Sequence, residues 1–117
     1  MSPMARTKAA RLAQCERWLR ENFPPAYPTT VEWARLGERF AHSHRGECEK
    51  VGRGLVIRLD DRLDWYSAIE ILLHEFAHAV TWRSTDPLPH GSEWAATSGR
   101  IYSKWFDEDG AVESRAL

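Results

Sequence analysis

Residues 65–83 read WYSAIEILLHEFAHAVTWR, and this stretch decides the fold. Its apolar side chains recur at helical spacing on nearly every side, so the pattern predicts a helix over 65–83. A helix that is apolar almost all round lies in the middle of a domain, covered by other elements. Three polar residues, His74, Glu75 and His78, interrupt the apolar run. The sequence therefore predicts a central helix that carries a polar site.

The two histidines of this helix are spaced as a pair of metal ligands. Because His74 and His78 are four residues apart, their imidazoles leave the same face of the helix, one turn apart. That spacing lets two ring nitrogens reach one zinc ion at about 2.0–2.1 Å. Glu75 overlooks the same site without binding the ion. In the chemistry of the H-E-x-x-H motif, this Glu is the general base for zinc-activated water and then the acid for the leaving amine.

In a purely structural interpretation of the motif, His74 and His78 are core residues whose ring nitrogens are hydrogen-bonded, and Glu75 forms an ion pair. Burying two imidazoles and a carboxylate in an apolar layer costs free energy unless a partner compensates them. A metal ion is such a partner. The metal-site interpretation is therefore favoured, with Zn²⁺ as the expected cofactor.

A catalytic zinc site generally has a third protein ligand and an open fourth position. The compact pattern H-E-x-x-H-x-x-G-x-x-H would place Gly at 81 and His at 84. This chain has Thr81 and Ser84 there, so that class is excluded. The candidates downstream are Asp86, His90 and Glu93. His90 is favoured over Glu93 because imidazole is the commoner ligand and the loop before it can reverse the chain.

The rest of the chain predicts a small α+β domain around the central helix. Apolar positions at helical spacing indicate a first helix, and alternation in 54–59 indicates a half-buried strand. The predicted elements, besides the central helix, are a helix over 5–22, strands over 29–36, 47–51 and 54–59, and a helix over 92–106. A two- or three-stranded sheet is expected.

Acidic residues precede the central helix and predict its start. Asp60, Asp61 and Asp64 supply turn and cap chemistry after the last strand. The spacing of Ser67 and Glu70 predicts a capping box at the helix N-terminus.

The two histidine motifs together resemble those of a known family. His74-Glu75-Phe76-Ala77-His78-Ala79, followed by His90-Gly91-Ser92-Glu93-Trp94, is similar to the SprT-like metallopeptidases, which include the Spartan proteases. Their pattern is H-E-x-x-H, a variable loop, then H-G-x-x-aromatic. The strand and acidic turn at 55–60 also resemble the family, and the likeness covers about residues 28–106.

The resemblance implies a zincin-like domain that hydrolyses peptide bonds in a protein or peptide substrate. It makes the His before the Gly, His90, the third zinc ligand. It also implies proteins crosslinked to DNA as substrates. The sequence's own support for DNA as a partner is the basic first helix, with Arg6, Lys8, Arg11, Arg17 and Arg20. The paired cysteines of a C-terminal zinc ribbon, common in the family, do not occur in this sequence, so the resemblance bears on fold and metal more than on substrate.

An alternative function is a zinc-stabilised binding or regulatory module without constitutive protease activity. A fourth protein ligand that closes the metal to water would mark such a module.

Length and composition place the chain in one soluble domain. It has 117 residues, 43% hydrophobic and 28% charged, so we expect a single domain over 1–117 with its core at about 5–107 and a short tail at 108–117. A net charge of −1 gives no overall basic field for nucleic acid. Two cysteines without C-x-x-C spacing, and no signal-peptide or membrane-spanning run, favour a cytoplasmic protein with no membrane partner.

Several further residues are weaker candidates for a functional site, and for most of them a structural role is favoured over a functional one. A second metal site at His42, His44 and Cys48 fits no standard zinc spacing, so loop histidines beside a packed cysteine are favoured. Tyr102 and Arg100 are candidate donors to transition-state charge, although Tyr102 also fits the core stripe of the last helix. Core packing is favoured over a substrate cleft for three tryptophans: Trp65, Trp82 and Trp94.

Overall fold

Three helices and a three-stranded sheet make up the described part of the chain, residues 7–36, 45–82 and 90–108 of a computed structural model. In chain order the elements are α1 (Lys8–Asn22), β1 (Thr29–Ala34), β2 (Gly46–Val51), β3 (Gly54–Asp60), α2 (Trp65–Val80), α3 (Ser92–Ser103) and a π-helical segment (Lys104–Glu108). The α+β class and the three-stranded form of the sheet are as the sequence predicted. No helix in these three stretches is long and apolar enough to cross a membrane.

Helix α2 is central, because it contacts both other helices and two strands of the sheet. Leu72, Leu73 and Phe76 on this helix have no exposed surface. Each such side chain contributes about 1.5–3 kcal/mol when it is taken out of water. Helix α1 packs against α2, and its buried residues, Leu12, Cys15 and Leu19, recur at helical spacing. The apolar-all-round pattern of 65–83 therefore identified the correct core element.

Strand β3 is the middle strand of a mixed sheet in the order β1-β3-β2. It pairs in parallel with β1 and antiparallel with β2. Leu55, Ile57 and Leu59 alternate onto the helix-covered face and are at most 1% exposed. The hairpin between β2 and β3 turns at Gly52, whose φ of 60° is a conformation that favours glycine. Because the strand order is β1-β3-β2, strand β2 lies at an edge of the sheet, and it contacts α2.

The ends of several elements differ from the sequence-based expectation. Strand β1 ends at Ala34 rather than at 36, because the Leu36 amide donates to the Asp60 carboxylate (3.1 Å) and not to a strand. Helix α2 ends at Val80 rather than at 83, with Thr81 as its C-cap. The last helix changes to π-helical hydrogen bonding from Lys104 onward. The ends of helices and strands are the least certain part of a prediction from local sequence.

The cap of α2 corrects one prediction. Asp64 is the N-cap, and its carboxylate accepts a hydrogen bond from the Ser67 amide at 2.7 Å. Ser67 therefore lies inside the first turn, and the predicted capping box of Ser67 with Glu70 is wrong. Asp and Ser are both good cap residues, so the sequence alone left two registers for the helix start.

We expect Asp64→Ala to lower the thermal midpoint of the protein near neutral pH. The hydrogen bond from Ser67 holds the pKa of Asp64 below its ordinary value. A lowered pKa means that the stabilisation is present above the unfolded pKa and is lost as the pH falls through the folded pKa. Thermal unfolding of both proteins from pH 7 down to pH 2 checks this. The gap between the two midpoints should shrink in acid, and a gap that stays constant would contradict the assignment of Asp64 as the charged cap.

Candidate metal centre

Three histidine side chains converge on one point beside α2. The Nε2 atom of His90 lies 3.1 Å from that of His78 and 3.3 Å from that of His74. Two nitrogens that bind one tetrahedral zinc at about 2.0–2.1 Å are about 3.3 Å apart. The separations therefore fit ligands of a shared ion. Among the described residues these three form the group whose ligand atoms could hold a metal.

Two elements bring the three rings together. Helix α2 presents His74 and His78 from successive turns, as their spacing predicted. His90 comes from the turn just before α3, where Gly91 is the N-cap with extended backbone. The Ala95 amide donates to the Gly91 carbonyl at 3.0 Å and starts the helix there. The start of α3 thus places the third ring beside the first two.

The charge state of the histidines favours metal binding. Burial, together with the charge of His90, lowers the pKa of His74. Burial and the charges of the other two rings lower the pKa of His78 to about 4. Both rings are therefore neutral at pH 7, which is the form that binds a metal. Converging lone pairs of neutral imidazoles repel one another unless a proton or a cation lies between them, so the arrangement suits a cation.

Glu75 lies at the edge of this group in a poorly solvated position. Its side chain is 9% exposed, and its Oε2 atom is 4.0 Å from Nε2 of His74. Burial, with a smaller effect from the nearby charge of Glu47, raises the pKa of Glu75 to about 7. A carboxyl group that titrates near neutral pH can both accept and release a proton there. The residue has the properties of a general acid–base group.

The edge strand β2 covers Glu75 because its first residue is a glycine. A Cβ atom at Gly46 would collide with Cγ2 of Ile71 and would lie 3.4 Å from Cγ of Glu75. Only a residue without a side chain lets the strand lie this close to α2. The sequence did not single out Gly46, which stands in a polar stretch with two other glycines and no motif. A close approach of strand and helix has no signature in the local sequence.

Trp94 forms one wall of the histidine group. Its ring is stacked on His78 with the centroids 5.3 Å apart, and it meets His74 and His90 edge-on at 4.9 and 4.7 Å. Core packing is the role that the sequence favours for Trp94, and the indole does pack against the core. The structure shows in addition that it contacts all three imidazoles, which the sequence did not indicate.

The other candidates that lie in the described stretches are not part of the group. Glu93 is an exposed residue in the first turn of α3 and is not a member of the converging set. Tyr102 donates its hydroxyl to the carbonyl of Glu70 at 3.2 Å, and Arg100 donates to the Thr97 hydroxyl at 3.4 Å. Burial raises the pKa of the partly buried Cys48 thiol to about 12, with a further effect from Glu75, so it is not a thiolate. Asp86, His42 and His44 lie outside the described residues.

A helix with H-E-x-x-H, a third histidine from the next helix start and a buried glutamate define a domain of the zincin-like class. The SprT-like family profile matches residues 9–112, nearly the whole chain. The chain belongs to the SprT-like family. A comparison with curated proteins finds no match.

We expect Gly46→Ala to destabilise the protein, because the added methyl group forces β2 away from α2. Overpacking of this kind costs about 1–3 kcal/mol of unfolding free energy. Urea denaturation followed by circular dichroism measures the change. Gly99→Ala on α3 is the matched control, because a Cβ there meets nothing within 4 Å and alanine is the better helix former. Equal effects of the two substitutions would contradict the close approach at Gly46.

We expect Glu75→Gln to stabilise the metal-free protein at high pH and to have little effect near pH 4.5. The raised pKa means that ionised Glu75 is disfavoured in the folded state, so the parent loses stability as the pH rises from about 4.5 to about 7. Gln carries no charge and avoids this loss, on the order of 1–3 kcal/mol at pH 8. Denaturation in EDTA at pH 4.5, 6 and 8 tests the sign. A gain that does not grow with pH would contradict the buried position of this carboxyl group.

Proposed function

We propose that this protein is a zinc-dependent metallopeptidase that hydrolyses peptide bonds, with Glu75 as its general base. The observation that carries the proposal is the convergence of three imidazole Nε2 atoms beside a buried carboxylate. His74, His78 and His90 would hold the ion. Membership of the SprT-like family, a metallopeptidase-type fold, supports the same conclusion.

The donor set fits zinc better than the other common ions. Three imidazole nitrogens suit Zn²⁺, whereas Mg²⁺ and Ca²⁺ are bound by oxygen ligands. The separations of 3.1 and 3.3 Å between ring nitrogens suit a tetrahedral shell. When bound, zinc supplies Lewis-acid activation of water and of the substrate carbonyl. Three protein ligands leave one coordination position open for that chemistry.

Glu75 performs the proton transfers in this proposal. Its carboxylate accepts a proton from the attacking water and passes it to the amine of the leaving peptide. The group must gain and lose the same proton in one cycle, and burial, which raises the pKa of Glu75 in the metal-free protein, favours uptake of that proton. Helix α2 holds the carboxylate 4.0 Å from Nε2 of His74, so it faces the centre without occupying a ligand position.

The test compares the parent with Glu75→Gln after both are loaded with zinc. Cleavage of a fluorescein-labelled unfolded protein is followed, and new peptide ends are identified by mass spectrometry. We expect the parent to bind one zinc per chain, to lose activity in EDTA and to regain it with Zn²⁺. Glu75→Gln should bind the same zinc and lose about 10²–10⁴-fold in rate.

Glu21→Gln is the matched control, because it makes the same chemical change at an exposed residue of α1 that is not part of the histidine group. It should leave the rate unchanged. Cleavage by Glu75→Gln at the parent's rate would exclude the mechanism. Zinc bound through a fourth protein ligand, with no cleavage of any protein tested, would instead indicate a zinc-stabilised binding module.

The substrates in this proposal include proteins associated with DNA, a part that rests on the family resemblance. The basic first helix gives it limited support, because several of its cations are engaged within the fold. Lys8 donates to the carbonyls of Asp61 and Leu63, and Arg20 donates to Thr29 and Glu16. Arg11 lies over the ring of Trp65, 3.9 Å from its centroid. A cytoplasmic location likewise stays a prediction.

DNA binding is tested separately from peptide hydrolysis. Affinity for single- and double-stranded DNA is measured by fluorescence anisotropy between 50 and 300 mM salt, with cleavage rates measured in parallel. A DNA-directed enzyme should bind more weakly as salt rises and cleave faster with DNA present. No detectable affinity at 50 mM salt would remove DNA from the proposal and leave the metallopeptidase unaffected.

A further inference from the structure

The indole of Trp94 touches every imidazole of the metal centre. The ring centroids lie 4.9 Å from His74, 5.3 Å from His78 and 4.7 Å from His90. The three contacts differ in kind, because the indole is stacked on His78 with an interplanar angle of 24° and stands edge-on to the other two at 61° and 87°. One side chain therefore limits the rotation of three rings at once.

The position of Trp94 is set by two elements at the same time. It lies in the first turn of α3, four residues after His90, and its ring meets that imidazole edge-on at 4.7 Å. Its Nε1 atom donates to the backbone carbonyl of His74 at 3.4 Å, a long hydrogen bond that reaches across to α2. The indole thereby ties the element that carries the third histidine to the helix that carries the first two.

The rings of these histidines need such a constraint. The terminal torsion of His is broad, so an unrestrained imidazole samples many orientations of Nε2. Metal-binding histidines are usually oriented by a hydrogen bond from the other ring nitrogen to a carboxylate or carbonyl. Across residues 7–36, 45–82 and 90–108, the hydrogen-bond contacts of these three imidazoles are those between their Nε2 atoms. The indole of Trp94 is the ring contact that all three imidazoles share.

We propose that Trp94 is a positioning residue that pre-orients the three histidine rings for the metal, in the role that hydrogen bonds to Nδ1 usually have. The inference rests on the proposed metal site but not on peptide hydrolysis. Removing the indole would free all three rings, so the metal would bind only after ordering them. A residue that merely filled space beside α2 would affect unfolding but not the metal's coordination.

The test measures metal binding of the full chain, without an activity assay. Zinc affinity of the parent, Trp94→Ala and Trp94→Phe is determined by competition with a chromophoric chelator, and the visible spectrum of each Co²⁺-loaded protein reports the coordination geometry. Trp33→Ala is the matched control, because it deletes an indole that is 38% exposed on β1 and lies over Lys8 instead of the histidines. Circular dichroism of the metal-free proteins reports whether each is folded.

We expect Trp94→Ala to bind zinc about 10–100-fold more weakly than the parent and to shift or weaken the Co²⁺ bands. Trp94→Phe, which keeps an aromatic face but loses the Nε1 donor, should fall between the two. Trp33→Ala should match the parent in both readouts. If Trp94→Ala does not fold, the same comparison is decided by Trp94→Phe, which keeps most of the side-chain volume.

Parent-like zinc affinity and parent-like Co²⁺ spectra in the folded Trp94 variants would overturn this inference and leave the metal site standing. A parent that binds no zinc would overturn the metal site itself and this inference with it. The two failures are therefore separable by the behaviour of the parent alone.

Discussion

The structure depends on one constraint: a helix buried on nearly every side carries two imidazoles and a carboxylate. Helix α2 contacts α1, α3 and the sheet, so most of its surface is closed to water. Polar groups on such a helix must find partners or destabilise the fold. His74 and His78 meet this requirement where α3 begins, by facing His90 and Trp94. The contacts that pack the domain around α2 are thus also the contacts that assemble the site.

The neighbours of α2 have separate tasks that follow from this constraint. Strand β2 approaches closely at Gly46 and leaves Glu75 poorly solvated, which raises its pKa. The start of α3 supplies His90 and the indole that lies against all three rings. Helix α1 and the central strand β3 provide apolar surface that holds α2 in place. Chemistry and stability are therefore divided among different faces of the same helix.

Much of the fold, and the pairing of two histidines in the site, could be predicted from local patterns. The periodicity of 65–83 identified the core helix, and the alternation of Leu55, Ile57 and Leu59 identified the central strand. The four-residue spacing of His74 and His78 fixes their common face, because helix geometry leaves no other arrangement. What the sequence could not supply depends on contacts between distant residues. Position 46 requires glycine only because β2 lies close to α2 in the folded protein. Trp94 stacks on His78 only because α3 packs against α2. The start of α2 was predicted in part, since Asp64 and Ser67 are both good cap residues and only the structure shows that Asp64 is the N-cap.

The central claim is that two histidines of α2 and one from the turn before α3 share one zinc ion. X-ray absorption spectroscopy at the zinc K-edge of the loaded protein tests it most directly, because it reports the type, number and distance of the ligands. The account predicts three imidazole nitrogens at about 2.0–2.1 Å, with one further light atom and no sulfur. A shell with fewer than three imidazoles, or with a sulfur ligand at about 2.3 Å, would contradict it.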